Sequence, residues 1–540
     1  MGRAAEALLD FCNKHKSIIC YGAQSYGYTV KHFLEMHGLR PDCFLVSKKN
    51  LDTPNYVESV PLLSIDEVPA DFGQCGFILS LSEKYHREVI NLLQKKYGLS
   101  LDIFPIKSEI WTELYGDLLN KRREKILWQT PYNRQNVQAY EKRAQKIEKK
   151  YKYVWMKYAD FGAMGSMGSW IAHCMFRKEA ENKNIFILYY PYTSYEQTQS
   201  IDFKGANAYL LDKLVGEGIE VISENKLDFW RYFVQTRQSM VKNDYEVIKL
   251  EIALRSNYYS QYSKERQDKI YIELTDGEKL KGDEQLASMS IKKPYVCIAS
   301  REYHYLPFGL GVESASVPDL YRNSDIRTRR KTIDYLRSCR RQTVRMGANA
   351  NFQFNYEGCI DYASQHRTEF MDVYLAANCE FFLCDLNGII GLPQLFSKPL
   401  VLTNVALLTT RQDSPPFLKP TRDLALPKKL WDENNKRFLT LREILKYEVE
   451  SEKIQKNITG VFNVYLQNNI IAIDNSEDEI LKITMEMMHR LSGIIKYDSL
   501  DEKLQQRYWA IVNDFSLGDN ILSLWRIGKD FLRANQWWLN

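Results

Sequence analysis

No part of this sequence limits the possible folds as tightly as the stretch from Glu369 to Asn404, EFMDVYLAANCEFFLCDLNGIIGLPQLFSKPLVLTN. Met371, Val373, Tyr374 and Leu375 supply the apolar side of a short helix. Glu380–Cys384 and Leu400–Thr403 read as strands of the continuous apolar kind that parallel sheets bury on both faces. Between them, Asp385-Leu386-Asn387-Gly388 turns beyond the first strand's carboxyl end into a short helix. Lys398-Pro399 stops that helix and starts the next strand. Open α/β sheets bind ligands at such carboxyl ends, where helix amides face an anion without partners of their own. The competing reading is one more α/β repeat without a ligand, because fold geometry does not by itself imply function.

Composition removes several classes. The chain has 540 residues, enough for three or four domains, and its net charge of +5 is too small for a dedicated nucleic-acid binder. No apolar run reaches 18 residues, which excludes a transmembrane helix. The N-terminus, MGRAAEALLDFCNKHK, reads as an amphipathic helix rather than a secretory signal, and Glu6 stands where a myristoylation motif wants Ser or Thr. The ten cysteines are scattered without a C-x-x-C, and Cys20, Cys297 and Cys384 lie in apolar runs, as expected of buried reduced thiols in a cytoplasmic protein. The histidines show no zinc-binding spacing, so no metal is expected.

Residues 1–110 read as a small Rossmann-like α/β domain. Ser17–Tyr21 is a strand, Gly22–Gly27 turns into a helix ending at Gly38, and Asp42–Val46 is the next strand. A dinucleotide site wants an acid after that second strand, and Ser47-Lys48-Lys49 stands there instead. A docking or regulatory module is therefore the expectation. Residues 111–150 read as a helical connector whose charges form a solvated face.

A second α/β unit is expected over 151–290. Tyr153–Tyr158 is a strand, and the loop Asp160–Gly168 carries Gly162, Gly165 and Gly168, which let a backbone approach a ligand closely. A mobile surface loop is the alternative. Asp160, at a strand's carboxyl end, is the first candidate for a general base, and His173, one turn into the following helix, is the second. Met240–Tyr262 is expected to be a long charged helix and Asp276–Glu284 a loop.

From Lys293-Pro294 a third unit begins, with a strand at Tyr295–Ala299 and the turn Ser300-Arg301-Glu302-Tyr303-His304 at its end. Ser324 is expected to cap a helix running to about Arg341, and Val344-Arg345-Met346-Gly347 is a strand end. Arg301 and Arg345 thus stand on the ligand-binding edge, where a guanidinium can pair with a diphosphate and stabilise charge growing on it. For Arg327, Arg329, Arg330, Arg340 and Arg341 a solvated helix face is expected. Asn323 and Asp325 can hold sugar hydroxyls or cap a helix. Beyond 475 the chain reads as helices, with an aromatic tail from Trp525 to Trp538 that suits packing; a peripheral membrane contact is its rival.

Leu375-Ala376-Ala377, Phe381–Asp385, Asn387-Gly388, Gly391-Leu392-Pro393 and Lys398-Pro399-Leu400-Val401 together resemble the donor-binding half of GT-B glycosyltransferases. Tyr321-Arg322-Asn323-Ser324 and Val344-Arg345-Met346-Gly347 extend the resemblance, over about 290–500, to bacterial surface-polysaccharide glycosyltransferases. In one respect the chain departs: Asn387 and Gln394 stand where the large retaining subset carries Glu residues, so those Glu roles are not carried over. The resemblance implies an α/β chain with two Rossmann-like halves facing a cleft, at 151–290 and 291–474, followed by C-terminal helices at 475–540 that pack back on them. It implies a metal-independent, cytoplasmic transferase, with the inner face of the membrane as the alternative location. It would move a sugar from a nucleotide-sugar donor to a glycan or lipid-linked acceptor. Arg301, His304, Asn323, Asp325, Arg345, Asn387 and Gly388 would face the donor. Gly162, Gly165 and Gly168 would face the acceptor, and Asp160, His173 and Arg301 are the catalytic candidates. A nucleotide-sugar epimerase on the same architecture and a non-catalytic glycan-binding or scaffold protein are the alternatives.

Overall fold

The computed structural model describes residues 3–23, 25–49, 55–57, 59–68, 75–81, 85–98, 100–160, 164, 167–168, 185–192, 206–213, 218–243, 272–302, 321–347, 353–408, 422–454, 458–515 and 526–540. It is an α/β protein built on parallel sheets. The chain divides into two compact units, Met1–Gln145 with Asn225–Ser239, and Lys146–Glu224 with Met240–Asn540.

In the first unit, β1 (Ile18–Tyr21), β2 (Cys43–Val46), β3 (Tyr56–Val57), β4 (Val60–Ser64), β5 (Gly76–Leu79) and β6 (Asp102–Pro105) form one sheet in the order β3-β4-β2-β1-β5-β6. Every pairing is parallel except that of the short edge strand β3. Helices Arg3–Asn13, Ser25–Met36 and Ser108–Arg123 bury Leu8, Phe33 and Leu114 in one core, while Val89 and Leu93 of helix His86–Tyr97 enter another. Where a dinucleotide-binding acid would stand, Ser47 shares a hydrogen bond with the Tyr21 hydroxyl at 2.7 Å and Lys49 pairs with Glu67 at 3.1 Å. The connector is helical, but its charges do more than face water. Glu141 of helix Val137–Lys150 binds Arg237 at 2.7 Å, and the Arg143 guanidinium lies 4.0 Å from the Phe229 ring centre. Both partners belong to or follow helix Glu224–Thr236, whose Asp228 also accepts from the Asn133 amide at 2.9 Å.

The second unit opens with β7 (Tyr153–Asp160), β8 (Ile185–Tyr192), β9 (Ile219–Val221) and β10 (Val241–Asn243), a parallel sheet in the order β10-β7-β8-β9. The strand β10 corrects the expected helix at its start: Val241–Asn243 pairs with Val154–Met156, and the remainder of that expected helix lies outside the described residues. A second correction concerns 276–284. Asp276–Ser288 is a helix opened by a capping box, in which Glu278 accepts from the Thr275 amide at 2.8 Å and returns its own amide to the Thr275 hydroxyl. Its glycines read as loop signals, but Gly282 serves packing, since a Cβ there would stand 2.1 Å from the Tyr374 ring.

The main sheet is formed by β11 (Tyr295–Ala299), β12 (Gln342–Arg345), β13 (Cys359–Ile360), β14 (Phe382–Asp385), β15 (Leu400–Val405) and β16 (Leu424–Pro427). A separate sheet of β17 (Lys429–Asp432), β18 (Arg437–Phe438) and β19 (Ile470–Ile473) follows, and β20 (Arg526–Ile527) then returns to complete the main one. The main order is β13-β12-β11-β14-β15-β16-β20, with every pairing parallel. β11, β14 and β15 are buried throughout, which explains their unbroken apolar sequence. From β11 the chain steps outward to β12 and β13, then returns to β14 on the other side. The order therefore reverses between β11 and β14.

Helix Ala208–Lys213 seats the β7–β10 sheet against the main one. Asn207 donates to the Glu369 carbonyl at 2.9 Å, the Ala208 amide donates to the Glu369 carboxylate at 3.0 Å, and Tyr209 meets Phe370 edge-on. Within the aromatic tail, Trp538 is fully buried against Tyr508 and Phe531, and Trp525 lies outside the described residues. No helix of the described residues is long and apolar enough to cross a membrane, and the described cysteines are free thiols.

Candidate functional site

The reversal between β11 and β14 is the place where an open parallel sheet leaves a crevice beyond its strand ends. Arg301 follows β11 directly and Asp385 ends β14, so both stand at that point. Asp385 is fully buried and accepts from five groups. Its Oδ2 takes the Arg301 amide at 3.1 Å and the Ser324 hydroxyl. Its Oδ1 takes Arg329 Nη2 at 2.6 Å, the Thr403 hydroxyl at 3.0 Å and Asn404 Nδ2 at 3.1 Å. One carboxylate thus fixes the ends of three neighbouring strands and the segment leading to the Arg330–Ser338 helix. A buried carboxylate is tolerable only when so satisfied.

Arg301 is itself mostly buried. Its Nη1 donates to the neutral Asn323 Oδ1 at 2.5 Å, and the Asn323 carbonyl accepts from Lys428 Nζ at 2.7 Å. Arg322 donates to the Leu386 carbonyl at 3.3 Å, tying this segment to the turn after β14. Asn404 adopts φ +52° at the end of β15, a conformation Asn accepts more readily than most residues, and exchanges hydrogen bonds with Asn475 through its backbone and side chain.

Arg345 ends β12 and is buried between two carboxylates, Asp361 at 3.1 Å and Glu302. Asp361 also accepts from the Phe354 amide at 2.7 Å and the Ser364 hydroxyl at 2.6 Å. The guanidinium expected to meet a diphosphate is therefore matched within the protein by two acids, and its geometry suits orienting Glu302. Asp325, rather than Ser324, caps the turn at Ile326–Arg329, accepting from the Arg327 amide at 2.8 Å. The Ser324 hydroxyl instead donates to Asp385. Burial pushes the Asp325 carboxyl up, but hydrogen bonds from Arg327 outweigh it and hold the group below the usual carboxylate range. Asn387 likewise caps a turn, accepting from the Ile389 amide at 3.2 Å, and Gly388 beside it is exposed.

The expectation of a solvated helix face fails at Arg329. It is fully buried, because it shares a helical face with Ile326, Ile333 and Leu336, all of which are buried too. That spacing of three, four and three residues was the signal available in the sequence. Arg341 is also engaged, pairing with Glu380 at 2.9 Å. Thr403 and Asn404 carried no comparable local signal.

On the other sheet, Asp160 ends β7, in register with Tyr192 of β8. Gly168 lies against the start of helix Gly391–Leu395, where an added Cβ would stand 2.8 Å from the Gly391 Cα. Gly168 and Gly391, the first residue of the Gly-Leu-Pro segment after β14, therefore meet backbone to backbone. Gly162, Gly165, His173 and His304 lie outside the described residues.

No protein-family model matches the chain, and neither does any curated protein. Among solved structures, it is similar to a glycosyl transferase family 9 protein from Veillonella parvula DSM 2008, at 10% identity and a TM-score of 0.27, over 88% of this chain and 97% of that one. A dodecameric iron-containing heptosyltransferase, TibC, in complex with ADP-D-β-D-heptose, matches at 13% identity and a TM-score of 0.24, over 47% of this chain and 58% of that one. The ADP-heptose lipopolysaccharide heptosyltransferase II of E. coli matches at 11% identity and a TM-score of 0.21, over 72% and 84%. At such scores these likenesses decide neither the fold nor the reaction of this chain.

Proposed function

We propose that the chain is a glycosyltransferase that moves a sugar from a nucleotide-sugar donor to a glycan or lipid-linked acceptor in bacterial surface-polysaccharide synthesis. The observation that carries this reading is the polar cluster at the β11/β14 reversal, where Asp385 and Asn323 hold Arg301 at the strand ends. In the proposed reaction the donor diphosphate lies over Arg301, with Asn323 and the turn at Asn387-Gly388 beside it. As the bond from the sugar to the diphosphate breaks, negative charge grows on the leaving phosphate, and the guanidinium stabilises it without a divalent ion. Asp160, ending β7, takes the proton of the acceptor hydroxyl as that oxygen attacks the sugar carbon, with His173 as the second candidate. Arg345 and Asp325 support the site through Glu302 and through the cap before the Arg330–Ser338 helix.

The test is a thermal-shift panel of UDP, GDP, CDP, ADP and CMP with their sugars, with and without EDTA. A ligand at 100 times its Kd adds about 2.7 kcal/mol to the state it binds. One nucleotide should raise the melting temperature, unaffected by EDTA, and Arg301→Ala should abolish turnover while the circular-dichroism spectrum stays unchanged. Silence across a saturating panel would favour the non-catalytic scaffold instead.

A further inference from the structure

Ser300 and Glu302 flank Arg301 at the end of β11, and each keeps one buried polar atom without a hydrogen-bond partner among the described residues: Ser300 Oγ and Glu302 Oε2. The Glu302 side chain is only 14% exposed, and its other oxygen is fixed by Arg345, so the carboxylate cannot turn the free oxygen away without breaking that pair. Arg345 is in turn anchored by Asp361. The arrangement is therefore rigid, buried and incomplete. A buried acceptor left without a donor is costly, and native proteins rarely keep one except where a ligand or water completes it. Here two such atoms lie two residues apart at the reversal point of a parallel sheet, where ligands bind.

We propose that Ser300 Oγ and Glu302 Oε2 form a subsite that recognises a pair of hydroxyl groups on the nucleotide sugar; the proposal rests on the glycosyltransferase reading above. The carboxylate oxygen accepts from one hydroxyl, and the serine hydroxyl, able both to donate and to accept, binds its neighbour. Two parts of the donor carry such a diol, the ribose of the nucleotide and the transferred sugar.

The experiment measures binding by calorimetry for the wild type, Ser300→Ala and Glu302→Gln, using whichever of UDP, GDP, CDP and ADP the wild type binds most tightly. One arm compares that nucleotide with its 2′-deoxy analogue, and the other compares it with its nucleotide sugar. The wild type should discriminate by about 10-fold or more in one arm, the value of a single well-made hydrogen bond, and both variants should lose most of that discrimination. Which arm responds identifies the ribose or the sugar. Ser300→Ala removes a hydroxyl without a hydrogen-bond partner among the described residues, so the melting temperature of the free protein should not fall, which separates ligand recognition from a structural role. Wild-type discrimination retained by both variants, or absent from the wild type in both arms, overturns the subsite and leaves the transferase reading standing. Failure of the wild type to bind any nucleotide overturns both.

Discussion

Arg329 offers the sharpest quantitative test of the buried cluster. It and Asp385 are both 0% exposed and pair at 2.6 Å, with Arg329 also donating to Thr403 at 3.0 Å. Arg329→Met keeps the length and apolar stem of the side chain but strands the Asp385 charge. Breaking one side of a buried pair typically costs about 3–5 kcal/mol. The low end applies here, because the Arg301 amide, Ser324, Thr403 and Asn404 still donate to the carboxylate. Asp385→Asn should cost a similar amount by stranding the guanidinium. The double variant removes both charges together and should cost well under the sum of the singles. A chain with two compact units is a poor subject for a single unfolding transition, so native-state hydrogen exchange at the amides of β14 and β15 is the appropriate assay. The opening free energy there should fall by about 3 kcal/mol in each single variant, roughly two decades in exchange rate. A loss below about 1 kcal/mol in both singles, or strict additivity in the double variant, would show that the pair does not organise these strand ends.

Two further outcomes follow from the geometry. Gly168→Ala forces a Cβ against the Gly391 backbone, and should destabilise the chain by about 1–3 kcal/mol and reduce turnover, read by thermal melting and a donor-consumption assay; an unchanged melting temperature would contradict the close approach. Burial raises the Asp372 carboxyl from 3.8 to about 6, outweighing Arg367 at 2.9 Å and the Tyr362 hydroxyl at 2.9 Å. The folded chain then holds a proton that the unfolded chain releases. That contribution is full below about pH 4 and is lost as pH rises through about 6. It is on the order of 3 kcal/mol, and Asp372→Asn should flatten this part of the pH profile of the opening free energy, read by native-state hydrogen exchange at the amides of helix Glu369–Asn378.

The elements of the Glu369–Asn404 stretch were legible because buried parallel strands announce themselves as unbroken apolar runs. The helix at Asp276–Ser288 was not, since Gly277 and Gly282 imitate a loop, while the contact that calls for Gly282 comes from Tyr374, distant in sequence. The site divides in the same way. Arg301 could be placed at a strand end from its neighbours alone. Asp385 was readable only as part of a turn, because its partners Ser324, Arg329, Thr403 and Asn404 are brought to it by the order of the strands. Arg329 did carry a local signal, its spacing from Ile326, Ile333 and Leu336, which its charge obscured. The oxygens of Ser300 and Glu302 that lack a partner among the described residues have no sequence signature at all, since such a feature is visible only in three dimensions.

The central claim is that a nucleotide sugar binds over the carboxyl ends of β11 and β14. Hydrogen-exchange mapping with and without the tightest-binding nucleotide of the panel tests it most directly. The account predicts new protection at residues 300–302 and 386–391, abolished by Arg301→Ala. Protection confined to the turn after β1, or none at a saturating concentration, would contradict it.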